Sequence, residues 1–214
     1  MAEYQLYCFA QSGNAYRVAL MLSLIGADWR PIFVDFFGKG ETRTQEYRAK
    51  VNEMGEVPVL AHGERKLSQS AVCLTYLADR SGRFKPQGED ERLETLRWII
   101  FDNQKVGGFL GPYRFLRSLA PSPADPAVLA FLKGRIDISL AIVDKRLAER
   151  SFMLGERPTI ADISMCGYMY YPAEEFGFDI PAAYPNIGGW LDRVKALPGW
   201  KHPCDLMPGY PLRR

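Results

Sequence analysis

The chain has 214 residues, enough for two modest domains with a real core, and 47% of it is apolar, an ordinary globular fraction. Its 27 basic and 25 acidic residues leave a formal charge of +2, which gives no reason to expect nucleic acid or an anionic membrane as partner. The four cysteines, Cys8, Cys73, Cys166 and Cys204, show neither Cys-x-x-Cys nor metal-ligand spacing and are too few to staple a chain of this size, so a reducing compartment, by default the cytoplasm, is expected.

The start, Met1-Ala2-Glu3-Tyr4, lacks a basic region and a following apolar core, and no apolar run approaches the ~20 residues of a membrane span, so neither an export signal nor a transmembrane segment is expected. Tyr4 to Phe9 is short and aromatic-rich and reads as a first strand. After a loop from Ala10 to Asn14 comes a helix whose apolar stripe, Val18, Met21, Leu22 and Ile25, stops at Gly26. Trp29 to Phe36 reads as a second strand. Strand, helix and strand within about 30 residues make a βαβ unit, with parallel strands and a right-handed crossover. Gly38 to Thr44 is a polar loop, and Gln45 to Asn52 a short helix.

Glu56 to Leu60 then forms a short strand containing Pro58, His62-Gly63-Glu64 a turn, and Lys66 to Ser68 a second short strand. A helix opens at Gln69-Ser70 and carries Ala71, Leu74, Leu77 and Ala78 at helical spacing. The order βαβαββα defines an α/β, thioredoxin-like domain over residues 1–80, and Gly82, Pro86 and Gly88 mark residues 81–89 as a linker. Proline in a strand is confined to edges, first residues or bulges, sometimes after a cis bond. A helix N-terminus favours an anion through its free N–H groups and its dipole. Backbone exposed beside Pro58 and a helix opening with Gln and Ser therefore suit a small peptide-like anion.

From Asp90 onward the pattern is helical, first to about Leu119 and then from about Asp125 to Glu149, where Leu129, Leu132, Ile136, Leu140, Val143 and Leu147 define one core face. Thr159 and Asp162 have the spacing of a capping pair, and the aromatic run Tyr168 to Tyr171 is placed in a helix. Pro185 to Trp200 holds a short helix stopped by Pro198-Gly199, followed by a Pro-rich tail from His202 to Arg214. Residues 90–214 are thus expected to form an all-α domain, so that the whole is two domains or an α+β arrangement.

In a redox-active thioredoxin fold the loop after the first strand carries Cys-x-x-Cys. Here that loop reads Ser12-Gly13-Asn14-Ala15. The dithiol is gone, yet a hydroxyl stands where the sulfur would be, which suits an enzyme whose thiol arrives with its ligand. The only histidines, His62 and His202, lie in a turn and in the tail, and assemble neither a metal cluster nor a Ser-His-Asp triad. Walker and Rossmann fingerprints are absent, so nucleotide cofactors are unsupported.

Two stretches carry a resemblance. Val57-Pro58 before a strand, with Gln69-Ser70 at the next helix, resembles the glutathione transferases, and Ser12-Gly13-Asn14-Ala15-Tyr16-Arg17-Val18 is similar to the Ser-x-Asn-x-x-Arg-Val pattern of their serine-type, phi-like members. The likeness extends over the chain, through the capping pair and the closing helix, and suggests a bacterial, cytosolic member. It implies a homodimeric enzyme with glutathione as co-substrate and no metal, acting on a hydrophobic electrophile.

By position, the resemblance implies that Ser12 hydrogen-bonds the glutathione sulfur, that Asn14 adds a donor near it, and that Arg17 is structural. It also implies that the Val57 backbone beside Pro58, after a cis bond, pairs with the cysteinyl part, that Gln69 and Ser70 hold the γ-glutamyl end, and that Lys39 meets the glycyl carboxylate. Plainer readings stand beside these: Ser12 and Ser70 as helix caps, Gln69 as surface, Lys39 as a solvated loop lysine. The electrophile is expected between the domains, against Phe109, Tyr113, Phe115, Tyr168 and Tyr171, with Arg114 orienting it, though these aromatics equally suit a core. Cys8 is either a buried, inert strand cysteine or a nucleophile. A glutathione-dependent thiol reductase using Cys8, and a non-catalytic binding or assembly module, are the rival functions.

Overall fold

A computed structural model describes residues 2–211; Met1 and residues 212–214 of the expected tail lie outside the described residues. The chain divides into two compact units, residues up to Lys85 together with those from Leu197 onward, and Pro86–Ala196. The sequence reading carried the second domain to the end of the chain. The closing segment instead joins the first unit.

In the first unit, β1 (Tyr4–Cys8), β2 (Trp29–Phe33), β3 (Val59–His62) and β4 (Arg65–Ser68) form, among the described residues, a 4-stranded sheet of order β2-β1-β3-β4. β1 and β2 are parallel, as a strand–helix–strand crossover requires, and β3 is antiparallel to both β1 and β4. Pro31 is tolerated because β2 lies at the sheet edge. β2 ends at Phe33, three residues short of the expected Phe36. Val34 donates a last ladder-like bond to the Cys8 carbonyl at 3.1 Å, after which the chain turns and Phe36 stacks on Phe9 with ring centroids 5.0 Å apart. β3 starts only at Val59, since Pro58 has no N–H to give a ladder, and the Val57–Pro58 bond is cis.

The helices of this unit are α1 (Gly13–Leu24), α2 (Gln45–Lys50), α3 (Ser70–Ser81) and the short α11 (Pro203–Leu206). α1 packs beside α3, and its buried set extends well beyond the expected stripe to Ala15, Tyr16, Arg17, Leu20 and Leu24. α3, β1 and the returning tail all pack on this helix. Tyr16 donates from its hydroxyl to the Lys201 carbonyl at 3.0 Å, and Ser23 to the Gly199 carbonyl at 2.5 Å. Gly199 has φ +93°, and a Cβ there would meet the Ser23 carbonyl oxygen at 2.7 Å, so only glycine allows this approach.

The second unit contains α4 (Gly88–Phe101), α5 (Gly107–Arg114), α6 (Pro126–Leu147), α7 (Ile160–Met165), α8 (Ala173–Phe176), α9 (Ile180–Ala183) and α10 (Pro185–Lys195). Wide π-helical turns at Asp102–Val106 and Phe115–Leu119 make the first long helical run continuous. Ile136, Leu140, Val143 and Leu147 of α6 are buried as the periodicity predicts. At α7 the Thr159 and Asp162 side chains form a full capping box. The Asp162 carboxylate also accepts from the Met153 N–H at 2.8 Å and from Trp190 Nε1 at 3.0 Å, so one buried acid joins three segments. The expected helix through Tyr168–Tyr171 is not formed: α7 stops at Met165 and a single 3-10 turn follows over Cys166–Tyr168. Pro172 restricts only Tyr171 before it, and the helix has already ended at Met165. No helix among the described residues is long and apolar enough to cross a membrane.

Candidate active site

Ser12 sits at the point where β1 has ended and α1 begins. It is buried, has extended geometry, and accepts the Ala15 N–H at 3.2 Å, which makes it the N-cap of α1. Capping does not exhaust it. A hydroxyl accepts through its oxygen and still has one O–H to donate, so Ser12 is able to cap the helix and hydrogen-bond a sulfur anion at once. Asn14, half-buried, lies in the first turn of the same helix.

The second cluster lies at the start of α3. Gln69 has φ +67°, a conformation rare for a residue with a Cβ, and such strain collects where a site needs a particular backbone direction. From this position its amide donates to Glu56 Oε2 at 3.1 Å. Ser70 is buried at the first position of α3, and its oxygen accepts from Arg17 Nη1 at 3.3 Å. The Ser70 hydrogen is therefore left to donate elsewhere. Arg17 is fully buried within α1, and its guanidinium beside the N-terminus of α3 adds a second source of positive potential to the helix dipole.

Glu56 and Arg17 were absent from the binding residues expected from sequence. Glu56 carried a signal in its place before Val57-Pro58. The role of Arg17 had none, because the contact spans 53 positions. Together Ser70, Arg17 and the open helix end favour a carboxylate, while the Glu56 carboxylate, oriented by Gln69, favours an ammonium. That is the charge pattern of an amino-acid headgroup.

Val57 lies outside the β3 ladder, packed against the cluster of Phe9, Val34 and Tyr47. The preceding carbonyl of Glu56 accepts from the Tyr47 hydroxyl and from Asn52 Nδ2, each at 3.0 Å, which holds the entry to Val57-Pro58 in place. Lys39 is exposed in the turn after β2, as a solvated lysine would be. Cys8 is entirely buried in β1, and burial pushes its thiol up to about 12, so it is not a thiolate at neutral pH.

In the helical unit, Arg114 is buried, donates from Nε to Glu175 Oε2 at 2.5 Å and stacks its guanidinium 3.6 Å above the centre of the Tyr171 ring. Tyr171 is buried with it, and Tyr168 lies 6.4 Å from Tyr171 between centroids, packed against Gly111. Tyr113 is buried 6.5 Å from Phe178. Phe109 and Phe115 are half-buried on the same helical run. Arg114, Tyr113 and Tyr171 are thus committed to packing inside this unit.

A thioredoxin-like α/β unit with a Ser-capped first helix, joined in one chain to an all-helical unit, defines a glutathione-transferase fold. Family models agree on both parts: the N-terminal domain of glutathione S-transferase matches residues 2–79 and the C-terminal domain matches residues 126–193. A glutathione S-transferase from Dianthus caryophyllus is 42% identical over 207 residues, covering 94% of this chain and 91% of that protein. The crystal structure of a glutathione S-transferase from Pseudomonas fluorescens superposes with a TM-score of 0.86 at 31% identity, covering 95% of this chain and 100% of that one. A second family member from Pseudomonas fluorescens, solved with two glutathione molecules bound, has a TM-score of 0.79 at 27% identity over 92% of this chain and 90% of that one. The chain belongs to the glutathione S-transferase family and is a glutathione transferase.

Proposed function

We propose that this enzyme binds glutathione along the edge of its thioredoxin-like unit and is of the serine type. The observation that carries this reading is the presence in one compact unit of a capping Ser12 and of the Glu56, Gln69, Ser70 and Arg17 cluster, with Val57-Pro58 directly after Glu56 in the chain. The headgroup of the γ-glutamyl residue takes the α3 start, its carboxylate on Ser70 and its ammonium toward Glu56. The cysteinyl part runs beside the Val57 backbone, and Lys39 meets the glycyl carboxylate from its turn. Ser12, with Asn14 nearby, donates to the sulfur and stabilises the thiolate. The thiolate forms a new S–C bond to an electrophilic carbon, and a leaving group departs with its electron pair, or the carbanion formed by addition takes up a proton.

Phe109, Phe115 and Tyr168 are the half-buried aromatics that the helical unit offers an electrophile. Exposed apolar stripes, Leu93, Leu96 and Ile100 on α4 and Phe131, Ile138 and Ile142 on α6, support pairing of two copies as a homodimer. A cytoplasmic site of action fits cysteines kept as thiols. The test is calorimetry with glutathione followed by product analysis over a panel of aryl halides, epoxides and enones. Conjugates whose formation slows about tenfold or more in Ser12→Ala support the serine type. Binding without any conjugate supports a carrier role instead, and a mixed disulfide on Cys8 a reductase.

A further inference from the structure

In the helical unit, one face of α4 and the C-terminal end of α6 gather guanidiniums that the proposed glutathione site does not use. Glu91, Glu94 and Trp98 recur at helical spacing and share that face of α4. Glu91 is matched one to one, its carboxylate accepting from Arg157 Nη2 at 2.6 Å. Glu94 is shared instead. Arg97 holds it side-on through Nε and Nη2 at 2.9 and 2.7 Å, and Arg146 of α6 brings Nη2 to 3.8 Å from the same carboxylate. The two guanidiniums also approach the Trp98 ring, 4.7 and 5.4 Å from its centre. Arg146 is fixed from the other side, where its Nε donates to the Met153 carbonyl at 2.9 Å. Arg150, half-buried just past the end of α6, lies close enough to Arg146 to repel it, and among the described residues it meets no carboxylate at ion-pair distance, its chain neighbour Glu149 included.

We propose that Arg97, Arg146 and Arg150 form a binding site for a dianionic phosphate group, which ties α4 to the end of α6. Three guanidiniums face one carboxylate, Glu94, and the C-terminal dipole of α6 offsets only about half a charge. A single further carboxylate would leave positive charge over, whereas a phosphate dianion answers it. Burial draws the Arg146 guanidinium below its usual range, and the neighbouring Arg150 adds to this against the opposing pull of Glu94. Donors remain for the ligand: Arg97 and Arg146 each keep Nη1, and Arg150 keeps its whole planar fork, the geometry that matches phosphate oxygens bidentately. Trp98 Nε1 is buried beside Glu94 with no acceptor at hydrogen-bond distance, a further sign that donors outnumber acceptors on this face. Inorganic phosphate and a phosphate monoester present the same oxygens to this site, which does not depend on the glutathione reading.

The probes are inorganic phosphate and glycerol 2-phosphate, titrated at pH 8 into the full-length protein by calorimetry, with sodium chloride holding the ionic strength constant. The expected result is saturable binding and an unfolding midpoint that rises with phosphate. Arg97 is exposed and Arg150 lies past the helix end, so Arg97→Ala and Arg150→Ala should fold, and each should weaken phosphate about tenfold through the loss of charged hydrogen bonds. Arg150→Lys keeps the charge without the fork and should recover only part of the loss. Glu94→Gln removes the competing carboxylate and should tighten phosphate several fold, the opposite of what a purely structural role for Glu94 predicts. Arg135→Ala, earlier on α6, should leave binding as it is. Either order of affinity between the two probes supports the site and identifies which source it takes. Responses no larger than those to sodium chloride alone overturn the proposal, as does unchanged affinity in Arg150→Ala. Competition between phosphate and glutathione also overturns it, because the anion would then sit at the start of α3.

Discussion

Arg17, buried in α1, donates from Nη1 to the Ser70 hydroxyl oxygen at 3.3 Å and so ties the thiol-side helix to the start of α3. The geometry makes Arg17 more than a structural residue, because it sets which way Ser70 donates. Arg17→Lys keeps a cation but loses the planar fork. Glutathione affinity should fall about tenfold, and a double-mutant cycle with Ser70→Ala should give a coupling of ~0.5–3 kcal/mol. Additive losses in calorimetry would mean that the two residues act independently.

For Ser12 the magnitudes can be set side by side. A thiol with pKa near ~8.5 must be lowered by roughly two units, ~2.7 kcal/mol, to be mostly ionised at neutral pH. A hydroxyl hydrogen bond to an anion supplies ~1.5–3 kcal/mol and the α1 dipole ~0.3–1. Ser12→Ala should therefore bind glutathione within a few fold, titrate its bound thiol one to two units higher by ultraviolet absorbance, and turn over about tenfold slower or worse. It should also lose ~1 kcal/mol of stability as an N-cap, which Ser12→Thr should restore.

If Glu56 meets the ligand's ammonium, Glu56→Gln should weaken glutathione about tenfold, the loss of a charged hydrogen bond of ~1.5–3 kcal/mol. An analogue lacking the γ-glutamyl amino group should bind wild type and variant alike. Equal losses for both ligands in calorimetry would assign Glu56 to backbone support only.

Cys8 should be inert. Its thiol is raised to about 12 by burial, so iodoacetamide at pH 7.5 should leave it unlabelled by intact-mass analysis while the protein is folded. The linkage has a definite sign. With a folded value above the unfolded ~8.5, the stability from keeping this thiol neutral is fully present below pH ~8.5 and is lost as pH rises toward about 12. Cys8→Ser should flatten part of that alkaline slope and leave turnover nearly unchanged.

Asp162 answers donors from Thr159, Met153 and Trp190 in a fully buried position. Asp162→Ala leaves those N–H groups without their acceptor, and denaturant titration should show a loss of ~2–5 kcal/mol. Glutathione affinity of the folded fraction should be unchanged, since Asp162 belongs to the helical unit.

Local signals made the first unit readable from sequence. The aromatic-rich run Tyr4 to Phe9, the 3–4 spacing of α1 and α6, Pro58 ahead of β3, and the Thr159/Asp162 pair each act over a few residues, so the sequence alone determined the βαβαββα order, the helical second half and the Ser12 and Gln69-Ser70 positions. The ends of elements were less legible where a neighbour distant in sequence competes: β2 gives up Val34 to Phe36 for packing on Phe9. What only the tertiary structure decided depends on contacts across long separations. The Arg17–Ser70 bond, the commitment of Arg114 to Glu175 and Tyr171, and the return of the tail to Ala10 and Gln11 are hydrogen bonds, ion pairs and ring contacts between residues 53 to 198 positions apart, or within a buried cluster. No periodicity encodes such pairs, because their partners are selected by how helices and sheet pack rather than by the spacing of residues along the chain.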